Sequence, residues 1–161
     1  MGGEPVSIRA LTAPIPGEIE ALAEIFDRYR VHYGEASDVR RSAGWLEQNL
    51  GTGRLRAFVA EDGARFIGFA ITTEVPASLR LAHLWQIRDL FVLPEHRRVG
   101  VGRALLASVR AAAIASGALR LALRAEEENE AALRLYADSG YTLVGGYCSL
   151  MLPISPDARG S

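Results

Sequence analysis

The sequence predicts a mixed α/β (α+β) fold in which about four helices flank a mixed central β-sheet of about six to seven strands. The first observation behind this prediction is the order of periodic segments along the chain, β-α-α-β-β-β-α-β-α-β-β. The second is composition, because the 161 residues are 49% hydrophobic and 23% charged and contain no low-complexity stretch. Such a chain can bury a core of its own, so we expect a single domain over residues 1–161.

The first half of the chain is predicted to form a strand, two helices and a hairpin. Gly34 ends a helical pattern, and Ser37 or Asp38 is placed to cap the helix that follows. The dipeptide Asp62-Gly63 between two apolar runs is a strong hairpin signal. The predicted elements are a strand at residues 5–12, helices at 16–33 and 38–50, strands at 55–61 and 66–74, and a loop at 75–80.

The second half is predicted to alternate strands and helices. A long apolar run ends at Pro94, and Gly100 and Gly117 bound an amphipathic helix. The predicted elements are a strand at residues 84–93, a helix at 100–116, a strand at 119–125, a helix at 129–139, strands at 141–144 and 147–152, and a frayed tail at 155–161.

Composition excludes several classes of function. All 18 basic residues are arginines, so no lysine can form a Schiff base or complete a P-loop. The net charge of -1 argues against a nucleic-acid-binding protein. The single Cys148 and three scattered histidines match no metal motif, so we expect no metal. Because no apolar run approaches the ~20 residues of a membrane span and no signal-peptide pattern is seen, we expect a cytoplasmic protein without a membrane partner.

The most informative segment is an apolar strand that leads through a loop into a helix. Gly100 and Gly102 let the backbone approach a phosphate group, and the first amides of the helix point toward it. Arg97, Arg98 and Arg103 can add charge-assisted hydrogen bonds. The segment lacks the third glycine of a dinucleotide-binding fingerprint and the lysine of a P-loop. A diphosphate site is one interpretation, and a glycine-rich turn with solvent-facing arginines is the other.

Two motifs together resemble one known family. The loop Arg97-x-x-Gly100-x-Gly102 is similar to the R/Q-x-x-G-x-G/A loop of the GNAT superfamily of N-acetyltransferases. The segment at residues 129–141, with Asn129 at its start and Tyr136 inside it, resembles that family's N-x-x-A-x-x-x-Y-x-x-x-G-F/Y segment. The resemblance covers about residues 5 to 153 and includes the element order. It implies a GNAT fold and an enzyme that transfers an acetyl group from acetyl-CoA to a primary amine.

The resemblance also implies which residues form the site. Tyr136 stands at the position of the acid that protonates the CoA thiolate, and the amine attacks the thioester directly, without a covalent enzyme intermediate. Asp89 is the candidate base, acting through water or by attracting the ammonium group. The backbone N–H of Val92 would polarise the thioester carbonyl. The residues implied in cofactor binding are Leu90, Phe91, Val92, Arg97, Arg98, Val99, Gly100, Val101, Gly102, Arg103 and Asn129.

Several alternatives stay open at this point. Tyr136 can be a core aromatic residue, and Asp89 can merely pair with Arg88 or Arg124. Arg88 stands where some family members carry a glutamate, which argues against a strongly cationic acceptor. The acceptor is therefore a small-molecule or peptide amine of open identity. Rival functions are an acyl-CoA-binding sensor or non-catalytic subunit, and an O-acyl or longer-acyl transferase. The apolar late strands at residues 141–152 favour a homodimer.

Overall fold

The computed structural model describes residues 6–154. The tail predicted at residues 155–161 and the first residue of the predicted first strand, Pro5, lie outside this range. Within residues 6–154, no helix is both long enough and apolar enough to cross a lipid bilayer. The elements are β1 (Ser7–Leu11), α1 (Pro16–His32), α2 (Val39–Gly51), β2 (Arg56–Asp62), β3 (Arg65–Ala77), β4 (Ala82–Val92), α3 (Val101–Ala115), β5 (Leu121–Leu123) and α4 (Glu130–Asp138), with 3-10 turns at Ser78–Arg80 and Pro94–His96.

The five strands form one mixed sheet in the order β1-β2-β3-β4-β5. The first four strands are antiparallel neighbours. Short connections join β2 to β3 and β3 to β4, whereas α1 and α2 lie between β1 and β2. β5 runs parallel to β4, and α3 provides the crossover between them. The mixed α/β class predicted from the sequence is therefore confirmed, with four helices around the sheet.

Helices cover both faces of the sheet. On one face, Phe26 of α1 packs against Phe69 of β3, with ring centroids 5.7 Å apart. On the other face, α3 packs across β1 to β4 and buries Leu105 and Val109 completely. The apolar stripe predicted for α3 is therefore the face that is turned to the sheet.

The β3–β4 hairpin is longer than the sequence predicts. The predicted loop at residues 75–80 is wrong, because β3 continues to Ala77 and pairs there with Ala82. β2 pairs with β3 only up to Thr72, so the end of β3 has β4 as its single neighbour. Pro76, which has no N–H to donate, is tolerated on such a free edge.

The strands predicted at residues 141–144 and 147–152 do not form, so the sheet has five strands instead of six to seven. No backbone pairing joins these residues to β5, the last strand of the described sheet. Their apolar side chains remain exposed, for example Leu143 at 96% and Leu150 at 91%. An apolar run shows that side chains favour burial, but a strand also needs a neighbour for its backbone groups.

Candidate active site

A bulge in β4 decides where Asp89 points. Ile71 of β3 pairs with Asp89, but the next residue, Thr72, pairs with Ile87, so Arg88 is the extra residue. A residue inserted in this way reverses the alternation of side chains between the two faces of a sheet.

The side chains on either side of the bulge accordingly face different helices. Trp85, before the bulge, contacts Phe58 at a ring distance of 6.4 Å on the face that α3 covers. Phe91, after the bulge, contacts Tyr29 of α1 at 5.7 Å. Asp89 lies two residues before Phe91 and faces α1 with it.

Asp89 is half-buried, and its carboxylate accepts a hydrogen bond of 2.7 Å from the hydroxyl of Tyr29. Burial raises the pKa of Asp89, while the hydrogen bond from Tyr29 and the charge of Arg88 oppose that rise. Burial and the nearby Asp89 raise the pKa of Tyr29 in turn, so this phenol stays protonated and donates. The sequence analysis left open that Asp89 merely pairs with Arg88 or Arg124. Within residues 6–154 Asp89 forms no ion pair with either arginine.

The backbone of β4 is open along one edge next to Asp89. β5 pairs with β4 only from Trp85 to Ile87, so the following residues have no neighbour on that side among the described strands. The N–H of Leu93 donates to Ile67 of β3 at 2.9 Å. Because successive N–H groups of an extended chain point in opposite directions, the N–H of Val92 points to the open edge. This edge can pair with an extended ligand.

The predicted phosphate loop lies at the end of this open edge. Arg98 and Gly100 have positive φ angles of 68° and 92°, which turn the backbone from β4 into the start of α3. The first turn of α3 contains no acidic residue and no side chain caps it, so its amides carry an uncompensated positive partial charge. A Cβ atom on Gly102 would lie 3.1 Å from Leu135 Cδ2, so any side chain there would crowd the α3–α4 boundary. The absence of a side chain at Gly102 therefore lets α3 pack closely against Leu135 of α4.

The three arginines of the loop differ in their contacts. The Nε of Arg97 donates to the carbonyl oxygen of Val92 at 2.8 Å, and its guanidinium lies over the ring of Phe91. Arg103 lies 3.5 Å from Asp138 of α4, and both side chains are largely exposed. Arg98 forms no hydrogen bond or ion pair with another described side chain. Arg97 is thus held in place by protein contacts, and Arg98 is available to a ligand.

α4 carries the other two predicted residues. The side chain of Asn129 accepts a hydrogen bond of 3.1 Å from the N–H of Ala132 and so caps the helix. Tyr136 lies two turns further on and packs edge-on against Tyr141, with ring centroids 5.9 Å apart. Burial is the main cause of the raised pKa of Tyr136, and its hydroxyl donates to no other described residue. The phenol therefore remains protonated at neutral pH.

Two adjoining cavities bring these groups together. The larger cavity, about 860 Å³, extends along the open edge of β4 to the phosphate loop. The smaller cavity, about 200 Å³, lies beside Asp89. The residues that line both cavities are Tyr33, Leu90, Asn129, Ala132 and Tyr136. Tyr136 therefore lies where the two cavities meet.

The structure brings most of the predicted site residues to these cavities. Asp89 lines the smaller cavity, and Val99 is 73% exposed and lines neither. The predicted residues on the larger cavity are Leu90, Phe91, Val92, Arg97, Arg98, Gly100, Val101, Gly102, Arg103, Asn129 and Tyr136. Sequence reasoning missed Tyr29 and Tyr33 as site residues. Their spacing of four fits a packed helix face equally well, so the sequence alone does not mark them as site residues.

Comparison with known proteins shows the family of this chain. A family model described as the acetyltransferase (GNAT) family matches residues 19–141. The chain is similar to the uncharacterised N-acetyltransferase YhfO of Bacillus subtilis (strain 168), with 31% identity over 134 residues, which are 83% of this chain and 90% of the relative.

Solved structures show the same fold. A probable acetyltransferase superposes with a TM-score of 0.84 and 28% identity, covering 92% of this chain and 98% of that one. The aminoglycoside N-acetyltransferase AAC(6')-Iy, in complex with CoA, superposes with a TM-score of 0.74 at 20% identity, covering 94% and 97%. The chain therefore belongs to the GNAT acetyltransferase family, whose members transfer an acyl group to an amine.

Proposed function

We propose that the protein transfers an acetyl group from acetyl-CoA to a primary amine by direct attack, without a covalent enzyme intermediate. The observation that carries this proposal is the meeting of the two cavities at Tyr136, next to the open edge of β4. The donor would occupy the larger cavity and the amine would enter through the smaller one. A solved neighbour of the same fold, an aminoglycoside N-acetyltransferase, contains CoA.

The phosphate loop fits the diphosphate of the donor. Gly100 has nothing within 4 Å of the position where a Cβ atom would lie, so the backbone there is open to a ligand. The amides at the start of α3 would receive the diphosphate, and Arg98 would add a charge-assisted hydrogen bond. Arg97 would hold the loop against β4 through the carbonyl of Val92.

The open edge of β4 fits the extended pantetheine chain of acetyl-CoA. The backbones of Leu90 and Val92 would pair with the amide groups of the pantetheine chain, as they would with a neighbouring strand. The N–H of Val92 would then lie beside the thioester carbonyl and stabilise the negative charge that develops on its oxygen. A single fixed donor of this kind is typically worth about 10²–10³ in rate.

Tyr136 would act as the acid that protonates the departing thiolate. A thiol titrates near ~8.5 and a phenol near ~10, so the transfer is uphill in pKa and is completed when solvent reprotonates the phenolate. Burial raises the pKa of Tyr136, so the phenol is protonated before the reaction and holds the proton that the thiolate receives. A new catalytic cycle can begin once the phenolate regains a proton from solvent.

Asp89 would receive the amine and accept its proton, directly or through a water molecule. Burial raises the pKa of Asp89 and makes its carboxylate a better base than an exposed aspartate. The hydrogen bond from Tyr29 would orient the carboxylate toward the smaller cavity.

The test is release of CoA from acetyl-CoA, propionyl-CoA and succinyl-CoA with a panel of primary amines. We expect release with acetyl-CoA and at least one amine, and weaker release with the larger donors. If the protein binds CoA but no donor–amine pair releases CoA, the proposed enzymatic activity is refuted and an acyl-CoA sensor is favoured.

We further propose that the protein is a homodimer joined through the arm, defined as residues 142–154. Every residue of the arm is exposed, and its large apolar side chains are Leu143, Val144, Tyr147, Leu150, Met151, Leu152 and Ile154. At roughly 100 Å² each, two such arms would bury roughly 1,400 Å², within the roughly 1,200–2,000 Å² of a stable interface. Pairing of each arm with a second copy would remove this apolar surface from water.

A further inference from the structure

The smaller cavity carries charges of both signs. Its lining includes two carboxylates, Asp89 and Glu126, and two guanidinium groups, Arg88 and Arg124. Each guanidinium repels an ammonium group, so this lining disfavours an acceptor with several positive charges.

Arg88 owes its position to the bulge in β4. It is the extra residue between the pairs formed by Ile87 and Asp89, and its side chain is exposed. Within residues 6–154 it has no ion pair and no side-chain hydrogen bond. Its charge is felt at Asp89, where it opposes the rise of that carboxyl's pKa. Arg88 therefore lies beside the proposed amine site with its donors unused.

Arg124 directly follows β5 and also lines the smaller cavity. Its guanidinium donates to the hydroxyl of Ser149 at 3.0 Å, and it forms no ion pair with a carboxylate of the described chain. One hydroxyl contact leaves most of the five N–H groups of Arg124 free for an anion.

We infer that the acceptor is a small amino acid, in which one end is a primary amine and the other end is a carboxylate. The amine would lie at Asp89, next to Tyr136, and the carboxylate would be bound by Arg88 and Arg124. A guanidinium group matches a carboxylate in plane and can donate two parallel hydrogen bonds to it. This inference rests on the proposed function, because it assigns the second substrate of the same site.

The size of the smaller cavity agrees with such an acceptor. Its volume of about 200 Å³ is below the about 300–1,000 Å³ of pockets that enclose drug-sized ligands. Tyr29 and Tyr33 form its α1 side, so the alkyl part of a short amino acid would lie against aromatic rings.

The experiment compares matched amines with the full-length protein and acetyl-CoA. The acids are glycine, β-alanine, 4-aminobutyrate and 5-aminovalerate, and each is paired with its primary amide. Aminoalkyl phosphonates of the same lengths form a third set of acceptors. We expect kcat/KM for at least one acid to exceed that of its amide by about 10-fold or more, since a good charge-assisted contact is lost in the amide. The preferred length would report the distance between the amine site and the two arginines.

Two variants and one control locate the effect. Arg88→Gln and Arg124→Gln should each lower the ratio of kcat/KM for the acid to that for the amide about 10-fold. Arg120→Gln, on an exposed residue that lines neither cavity, should leave the ratio unchanged. Calorimetric titration of the acids into CoA-saturated protein gives a readout that does not need turnover, and the same variants should weaken binding about 10-fold.

The outcomes separate this inference from the proposed function. Equal kcat/KM for acids and amides, or a ratio unaffected by both arginine variants, would overturn the amino-acid assignment and leave acetyl transfer intact. A preference for the phosphonates over the acids would also overturn it. Absence of CoA release from all amines, with arginine-dependent binding of the acids by calorimetry, would refute acetyl transfer and retain the amino-acid site.

Discussion

Tyr136 and Tyr141 form a pair in which one hydroxyl is proposed to be catalytic and the other is not. Their rings pack edge-on at 5.9 Å, and burial raises the pKa of both. Tyr136 lines both cavities, whereas the hydroxyl of Tyr141 is buried without a hydrogen-bond partner in the described chain. Replacement of each tyrosine by phenylalanine retains the packed ring and removes one proton.

For Tyr136→Phe the expected loss is in kcat. Proton transfer by a positioned group is typically worth about 10²–10⁴ in rate, which corresponds to about 2.7–5.5 kcal/mol in the barrier. The hydroxyl makes no hydrogen bond within residues 6–154, so we expect the free energy of unfolding to change by no more than about 0.5 kcal/mol. Affinity for acetyl-CoA should also be nearly unchanged, because only an interaction of the transition state is lost.

For Tyr141→Phe the expectation is the reverse. A buried hydroxyl without a partner costs about 1–3 kcal/mol, so its removal should leave the stability equal or higher and leave kcat unchanged. The assay is CoA release against pH at saturating acetyl-CoA, with urea unfolding of the same samples. A Tyr136→Phe enzyme within about threefold of the original kcat, with the same basic limb, would refute the role of Tyr136 as the acid. Equal losses in both variants would indicate packing instead.

Three other substitutions test separate parts of the molecule. Gly102→Leu should raise the dissociation constant of acetyl-CoA at least ~10-fold, about 1.4 kcal/mol, and calorimetry that shows unchanged affinity in the folded variant would remove the phosphate-loop assignment. Leu150→Asp should weaken the dimer at least ~100-fold, because two buried leucines at about 1.5–3 kcal/mol each are lost. Sedimentation equilibrium measures the dimer, and Leu79→Asp, at an equally exposed leucine outside the arm, is the control. If the protein without substitutions sediments as a monomer, the dimer is contradicted. Folding raises the pKa of Asp89, so its contribution to stability is fully present below the unfolded pKa and is lost as the pH rises through the folded pKa. Asparagine does not titrate, so the stability of Asp89→Asn relative to the original protein should increase as the pH rises. A stability difference that does not vary with pH in urea unfolding would argue against burial as the cause.

The local elements of this protein could be predicted because each depends on neighbouring residues. Asp38 caps α2 by accepting from the N–H of Arg41 at 2.9 Å, and Gly117 follows α3 with a φ angle of 75°. The phosphate loop is also local, since its strand, its turn and the start of its helix are contiguous. The short polar, glycine and proline residues that mark these boundaries act within a few positions of themselves.

The surroundings of Asp89 depended on the tertiary structure. The bulge at Arg88 is a property of the register between β3 and β4, and it reverses the face on which Asp89 lies. The partner of Asp89, Tyr29, is 60 residues away in sequence and meets it only because α1 packs on that face. No pattern within β4 alone contains this information, because the register is set by two strands together.

The number of strands and the charge of the smaller cavity were likewise decided by the fold. The sequence by itself determined that residues 141–152 are apolar and favour burial, but not which backbone would pair with them. It also determined that Arg88 and Arg124 are present, but their approach to one cavity follows from the parallel pairing of β4 with β5. Propensity and periodicity act along the chain, whereas pairing and the grouping of charges depend on distances across it, which only the packed structure sets.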